Sequence, residues 1–121
     1  MKEITIPVIE LELEPRDISS IINAEDEFSK KVWYYRCHLA MREEIKNGEL
    51  KLVKKWKPEY SGKNFIAEKN WEKCKQVARK IEKKYGKKNL GPYDDFDWGM
   101  INGKLSAIRW MLGEDWDQLD T

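Results

Sequence analysis

The single histidine is the first residue whose type and surroundings could do chemistry. His38 stands in "YYRCHLAMREE", with Arg42 one helical turn later and Glu43 and Glu44 beside it. An imidazole near carboxylates can act as a general base, so one hypothesis is a small enzyme with His38 in a pocket. Cys37 lies about 100° away around a helix, which argues against a Cys–His nucleophile pair. A hydrogen-bonded core histidine is favoured, and we predict no catalytic residue.

Metal and cofactor chemistry receives little support from the residues. The acidic stretches "DDFD" and "EDWDQLD" offer carboxylate oxygens for a hard cation, but helix capping and a solvated tail account for them. Cys37 and Cys74 are isolated, with one histidine in the chain, so no zinc site is expected. We predict two small buried thiols, with a bond between two helices as the alternative. No metal, cofactor or small-molecule ligand is therefore indicated.

A stretch rich in lysine and aromatic residues suggests a different function. "KLVKKWKPEYSGK" interleaves lysines with Trp56 and Tyr60, and basic surfaces with stacking rings hold single-stranded nucleic acids. Lysines also protect exposed sheet edges, and the acidic first strand could neutralise them. Nucleic-acid binding is the alternative function, and its predicted contact residues are Lys54, Lys55, Trp56, Lys57, Tyr60 and Lys63.

Length and composition predict a folded cytoplasmic protein. The 121 residues, of which 40% are hydrophobic and 37% charged, fit a single compact domain over residues 1–121. No apolar run is long enough to span a membrane, and "MKEITIPVIELELEP" has glutamates where a signal peptide would be apolar. No membrane partner is expected. The abundance of lysine and glutamate, with only two glutamines, is typical of thermophile proteins.

The charges are segregated along the chain. Residues 1–27 carry two basic and eight acidic side chains, residues 28–93 carry nineteen and seven, and residues 94–121 carry two and seven. This pattern predicts either a basic surface for an anionic partner or acidic ends that fold back on the middle.

Hydrophobic periodicity and capping residues predict an α+β fold that is mainly helical. Three main helices are expected, the third of them central, with a small two-stranded sheet that a partner subunit could extend. Asn23 and Asp94 are the predicted N-caps of the first and third helices, and Gly48 and Gly113 the residues that end them. The predicted elements are a strand over 4–13, a helix over 24–47, a strand over 49–56, a helix over 64–85 and a helix over 94–113.

The third helix contains an unusual stretch, "WGMINGKLSAIRW". Each interior glycine costs about 1 kcal/mol relative to alanine, which suggests that another group comes close to the backbone. Small residues gather opposite the core face of Trp98, Ile101, Leu105, Ile108 and Leu112. The first helix, a second copy of the chain, or a ligand or peptide could cover them. The predicted interface residues are Gly99, Asn102, Gly103, Ser106 and Trp110.

These features together favour a non-enzymatic cytoplasmic binding or assembly module. We expect it to form a homo-oligomer through the small-residue side of the third helix, with charge segregation orienting the partner.

Overall fold

The computed structural model describes residues 13–116 and has three helices with a small sheet. One long helix, here called the central helix, runs without a break through α1 (Ile18–Trp33), a π-helical segment (Tyr34–Leu39) and α2 (Ala40–Lys46). The mainly helical α+β class, with three helices and two strands, is confirmed. The other elements are β1 (Lys51–Val53), β2 (Phe65–Ala67), α3 (Glu68–Tyr85) and α4 (Asp95–Met111).

The first helix, rather than the third, occupies the centre of the fold. Its residue Tyr34 belongs to a buried cluster with Ala78 and Ile81 of α3. Val32, two residues earlier, belongs to a second cluster with Leu105 of α4. The prediction of a central third helix is therefore wrong, because the aromatic-rich first helix has apolar groups on two sides and separates the other two helices.

The central helix begins six residues before the predicted start. Asp17, not Asn23, is the N-cap, and its Oδ1 accepts a hydrogen bond of 2.8 Å from the backbone N–H of Ser20. Glu25, Asp26 and Glu27, which the predicted N-cap at Asn23 would place in the first turn, lie inside the helix. Asp26 there pairs with Lys30 at 2.8 Å, so the acidic run supports the helix through pairs four residues apart.

The π-helical segment interrupts the regular α-helical hydrogen bonding of the central helix. The backbone N–H of Ala40 donates to the carbonyl of Tyr35, five residues earlier, which is the hydrogen bond of a π-turn. Around this turn the helix has neighbours on two sides, since Val32 packs toward α4 whereas Tyr34 and His38 pack toward α3. The sequence pattern predicted an unbroken α-helix here. The central helix therefore packs against both α3 and α4.

The sheet pairs β1 with a strand that was not predicted. β1 lies parallel to β2, with Leu52 opposite Ile66, and the connection contains a short 3₁₀ turn at Pro58–Tyr60. Residues 65–67 were assigned to the second helix, but they extend the chain into β2 and α3 begins at Glu68. The strand predicted over residues 4–13 lies, apart from Leu13, outside the described residues.

The start of α4 follows the prediction. Asp94 is the N-cap, and its Oδ1 accepts a hydrogen bond of 2.7 Å from the backbone N–H of Asp97. A hydrophobic staple is also present, since the rings of Tyr93 and Trp98, on either side of the cap, stack with centroids 6.1 Å apart. Gly113, with φ of 105°, lies just beyond the last turn, as expected.

Removing the cap of α4 should lower the stability of the protein. We expect Asp94→Ala to reduce the free energy of unfolding by about 1 kcal/mol, because the N–H of Asp97 loses its acceptor. Urea denaturation measures this change. Asp95→Ala is the matched control, since it also removes an acidic charge from the first turn but no cap. Equal losses in the two variants would mean that charge, rather than capping, stabilises this end.

Candidate functional site

The outward side of α4 is an uncharged surface, here called the glycine face. On a helical wheel at 100° per residue its members span an arc of about 140°. No lysine, arginine, aspartate or glutamate falls within this arc. Its members are Phe96, Gly99, Met100, Gly103, Ser106, Ala107, Trp110 and Met111.

Both glycines of this face are open to the outside. A Cβ atom built on Gly99 or Gly103 would have no atom within 4 Å beyond the glycine's neighbours and its own helix backbone. Within residues 13–116, therefore, no element covers the face, and the first helix contacts α4 only from its other side. The expectation that the chain itself encloses α4 on two sides is not met in this part of the protein.

Large apolar side chains flank the open centre. Phe96 is 73% exposed near the beginning of α4, and Trp110 is 53% exposed near its end. Trp116, which follows the helix, packs edge-on against Trp110 with ring centroids 5.1 Å apart and is itself exposed. With Met100 and Met111, these rings extend the apolar surface at both ends of the small-residue centre. A grouped apolar surface of this kind indicates an interaction site.

The inward side of α4 holds the glycine face in its orientation. Leu105 is fully buried against the central helix. Near the C-terminal end, the guanidinium of Arg109 donates to Glu25 at 3.2 Å and to Ser29 at 3.3 Å. At the other end Trp98 packs on the ring of Tyr35 with centroids 4.5 Å apart. Contacts at both ends therefore prevent α4 from rotating to bury its apolar surface.

The predicted interface residues do not all lie on the glycine face. Gly99, Gly103, Ser106 and Trp110 belong to it, whereas Asn102 lies at the edge and donates through Nδ2 to the carbonyl of Trp98 at 2.8 Å. The sequence interpretation missed the flanking residues. Completing the helical wheel would have placed three of them on the arc. Those missed are Phe96, Met100, Met111 and Trp116.

His38 is packed among aromatic rings. It is 7% exposed, stacks on Trp71 with centroids 5.7 Å apart, and lies 5.0 Å from the ring of Tyr34. Its Nδ1 is buried and has no hydrogen-bond partner among the described residues. Burial lowers the pKa of His38, and the nearby Arg42 cation lowers it further. The imidazole is therefore a neutral core group.

The two cysteines are free, half-buried thiols, as the favoured interpretation predicted. Burial raises the pKa of both, and for Cys74 the nearby Cys37 raises it further. Cys37 also lines a cavity of about 150 Å³ between the central helix and α4. Arg36 and Arg109 lie at this cavity, but His38 does not line it. Protonated thiols of this kind are poor nucleophiles.

The predicted nucleic-acid residues all belong to one connection of the fold. This connection, residues 54–64, joins β1 to β2 and is here called the lysine loop. Trp56 and Tyr60 are in edge-on contact, with ring centroids 5.7 Å apart. The four lysines and Trp56 are exposed, and Tyr60 is half-buried. The predicted members are Lys54, Lys55, Trp56, Lys57, Tyr60 and Lys63.

Comparison with protein-family models, with curated proteins and with solved structures finds no match for this chain. Within residues 13–116 no helix combines the length and apolar character needed to cross a membrane. The same residues contain no group of three or more histidine, cysteine or acidic side chains arranged to bind a metal ion.

Proposed function

We propose that this protein is an assembly module that forms a homodimer through the glycine face of α4. The observation that carries this proposal is an uncharged helix surface with two uncovered glycines and large apolar groups at both ends. Glycine in a helix is tolerated where another backbone must approach closely. The free thiols fit a reducing compartment, which favours a cytoplasmic location.

The shape of the glycine face suits a second copy of the same helix. Small residues occupy its centre, with Phe96 and Met100 toward one end and Trp110 and Met111 toward the other. In an antiparallel pair centred near Gly103, each bulky end would meet the opposite bulky end of the partner. The glycines would then allow the two helix backbones to approach closely. Such a contact is self-complementary, as a two-fold interface requires.

The size of the apolar surface is also close to what a dimer needs. The exposed parts of the five large side chains on or beside the glycine face amount to on the order of 500 Å², taking roughly 200 Å² for a complete side chain. A standard interface buries about 800 Å² per partner, including the polar rim. The glycine face therefore supplies most of the apolar core of such an interface.

Mass measurement in solution tests the proposal. Light scattering coupled to size exclusion should give about 29 kDa, twice the 14.5 kDa of the chain. Because the contact is apolar and acidic Asp95 and Glu114 lie at its ends, raising the salt concentration should leave the dimer intact. A mass of 14.5 kDa at every protein concentration would overturn the proposal. So would a dimer that dissociates as salt rises, because that behaviour indicates an ionic interface.

A further inference from the structure

We propose that the lysine loop binds single-stranded nucleic acid, with Trp56 as a base-stacking surface and the lysines as phosphate contacts. This surface lies on the β1–β2 connection and is independent of the glycine face. The proposal goes beyond assembly, since it assigns a ligand class to a second region of the molecule. Three properties of the loop carry it: a supported aromatic ring, an ordered backbone and a set of unpaired cations.

Trp56 is exposed, yet other rings hold it in place. Its indole is 46% exposed and meets the ring of Tyr60 edge-on at 5.7 Å. Tyr60 in turn packs at 4.6 Å against Phe65 of β2, with 30° between the ring planes. A row of three rings thus connects the sheet to the surface. Trp56, the outermost ring, is available for stacking on a base, and every base has a flat face that can stack.

The loop backbone is ordered by its own hydrogen bonds. The backbone N–H of Tyr60 donates to the backbone carbonyl of Lys57 at 3.0 Å. The backbone N–H of Lys63 donates to the carbonyl of Tyr60 at 3.1 Å. Gly62 supplies the left-handed conformation, with φ of 75°, that the turn between them requires. A loop that already has its binding conformation loses little conformational entropy when a ligand binds.

The lysines of this region are free of carboxylate partners. Within residues 13–116 none of them has an acidic oxygen within 4.0 Å, in contrast to Lys30 and Lys31 of the central helix. Glu59 is the only acidic residue between positions 51 and 64. Unpaired ammonium groups around an exposed ring match a chain of phosphates and bases. The lysines are Lys51, Lys54, Lys55, Lys57 and Lys63.

Fluorescence anisotropy with a labelled oligothymidine of about twelve nucleotides tests the proposed contacts between the lysines and the phosphates. If five phosphates are contacted, the affinity should fall about 100-fold between 50 and 200 mM salt, following a logarithmic slope of about −3.5. Lys54→Ala/Lys57→Ala should reduce that slope, whereas Lys83→Ala/Lys88→Ala, an equal charge change at exposed residues outside the loop, should not. No binding at 50 mM salt, or equal effects of the two double variants, would overturn the proposal.

Substitution of the exposed ring distinguishes nucleic acid from other polyanions. Trp56→Ala should weaken oligothymidine binding by roughly 5- to 150-fold, and Trp56→Phe should retain most of the affinity. Binding of inorganic polyphosphate, which has no bases, should be the same for all three proteins. Equal losses for both ligands, or no loss for either, would overturn the proposal, because the ring would then not stack on bases. The monomeric Gly103→Leu variant should bind normally, so failure of the dimer and failure of this surface are separable.

Discussion

Gly103→Leu should give a folded monomer. The reason it should fold is that a Cβ at position 103 meets no atom within 4 Å, so the leucine side chain has room on the isolated subunit. The reason it should be monomeric is that the same side chain would fill the centre of the proposed interface, where two helix backbones must approach. In addition, replacing an interior helix glycine with leucine should stabilise the monomer by roughly 0.5–1 kcal/mol.

Two measurements on the same sample check this result. Light scattering should give 14.5 kDa for the variant at concentrations where the natural protein is dimeric. The midpoint of thermal unfolding should depend on concentration for the natural protein and not for the variant, since only a dimer gains stability by mass action. Gln76→Leu, which places leucine on an exposed position of α3, is the matched control and should remain dimeric.

Two results with Gly103→Leu would contradict this account. A dimer of unchanged affinity would show that the subunits associate elsewhere, because leucine cannot fit between two backbones in close contact. An unfolded variant would show that residues outside 13–116 cover the glycine face in the folded subunit. Circular dichroism separates the two cases, since only the second loses helical signal.

Local signals in the sequence predicted much of the fold. The cap at Asp94, the apolar stripe containing Trp71 and Ala78, and Gly48 after the central helix are each determined by residues within a few positions of one another. Such features depend on short-range hydrogen bonds and helical periodicity, so a single sequence reveals them. The same reasoning placed Gly103 on the side of α4 opposite the core.

Features that depend on distant contacts could not be predicted in this way. Periodicity cannot show that β1 pairs with residues 65–67, because a strand of three residues has too few positions to alternate. It also cannot show the π-turn, because helical periodicity assumes regular α-helical hydrogen bonds. A central helix with apolar groups on two sides leaves α4 one neighbour, and its outer side stays open.

His38→Leu should stabilise the protein at neutral pH. The imidazole Nδ1 is buried without a partner among the described residues, and such a group costs about 1–3 kcal/mol relative to a well-packed apolar side chain. Leucine has a similar volume and would lie between Tyr34 and Trp71. We expect the free energy of unfolding, measured in urea at about pH 8, to rise by about 1 kcal/mol or more. His38→Met is a second test of the same prediction, because its flexible side chain can fill the space if leucine packs poorly there.

The pH dependence of stability gives the same prediction an independent test. Burial lowers the pKa of His38 below its ordinary 6.5, and of the charged groups around it Arg42, Lys75 and Lys87 lower it while Glu82 raises it. As the pH falls through 6.5 the unfolded chain therefore binds a proton that the folded protein does not, and stability is lost with a slope of up to about 1.4 kcal/mol per pH unit. In His38→Leu and His38→Met, this dependence of the unfolding free energy on pH should disappear between about pH 7 and the lower folded-state pKa of His38. The stability that remains to be lost as the pH falls should be the part due to carboxylates. If both are less stable at pH 8 and retain the slope, His38 has a polar partner that stabilises its charge, and it is then not a neutral core group.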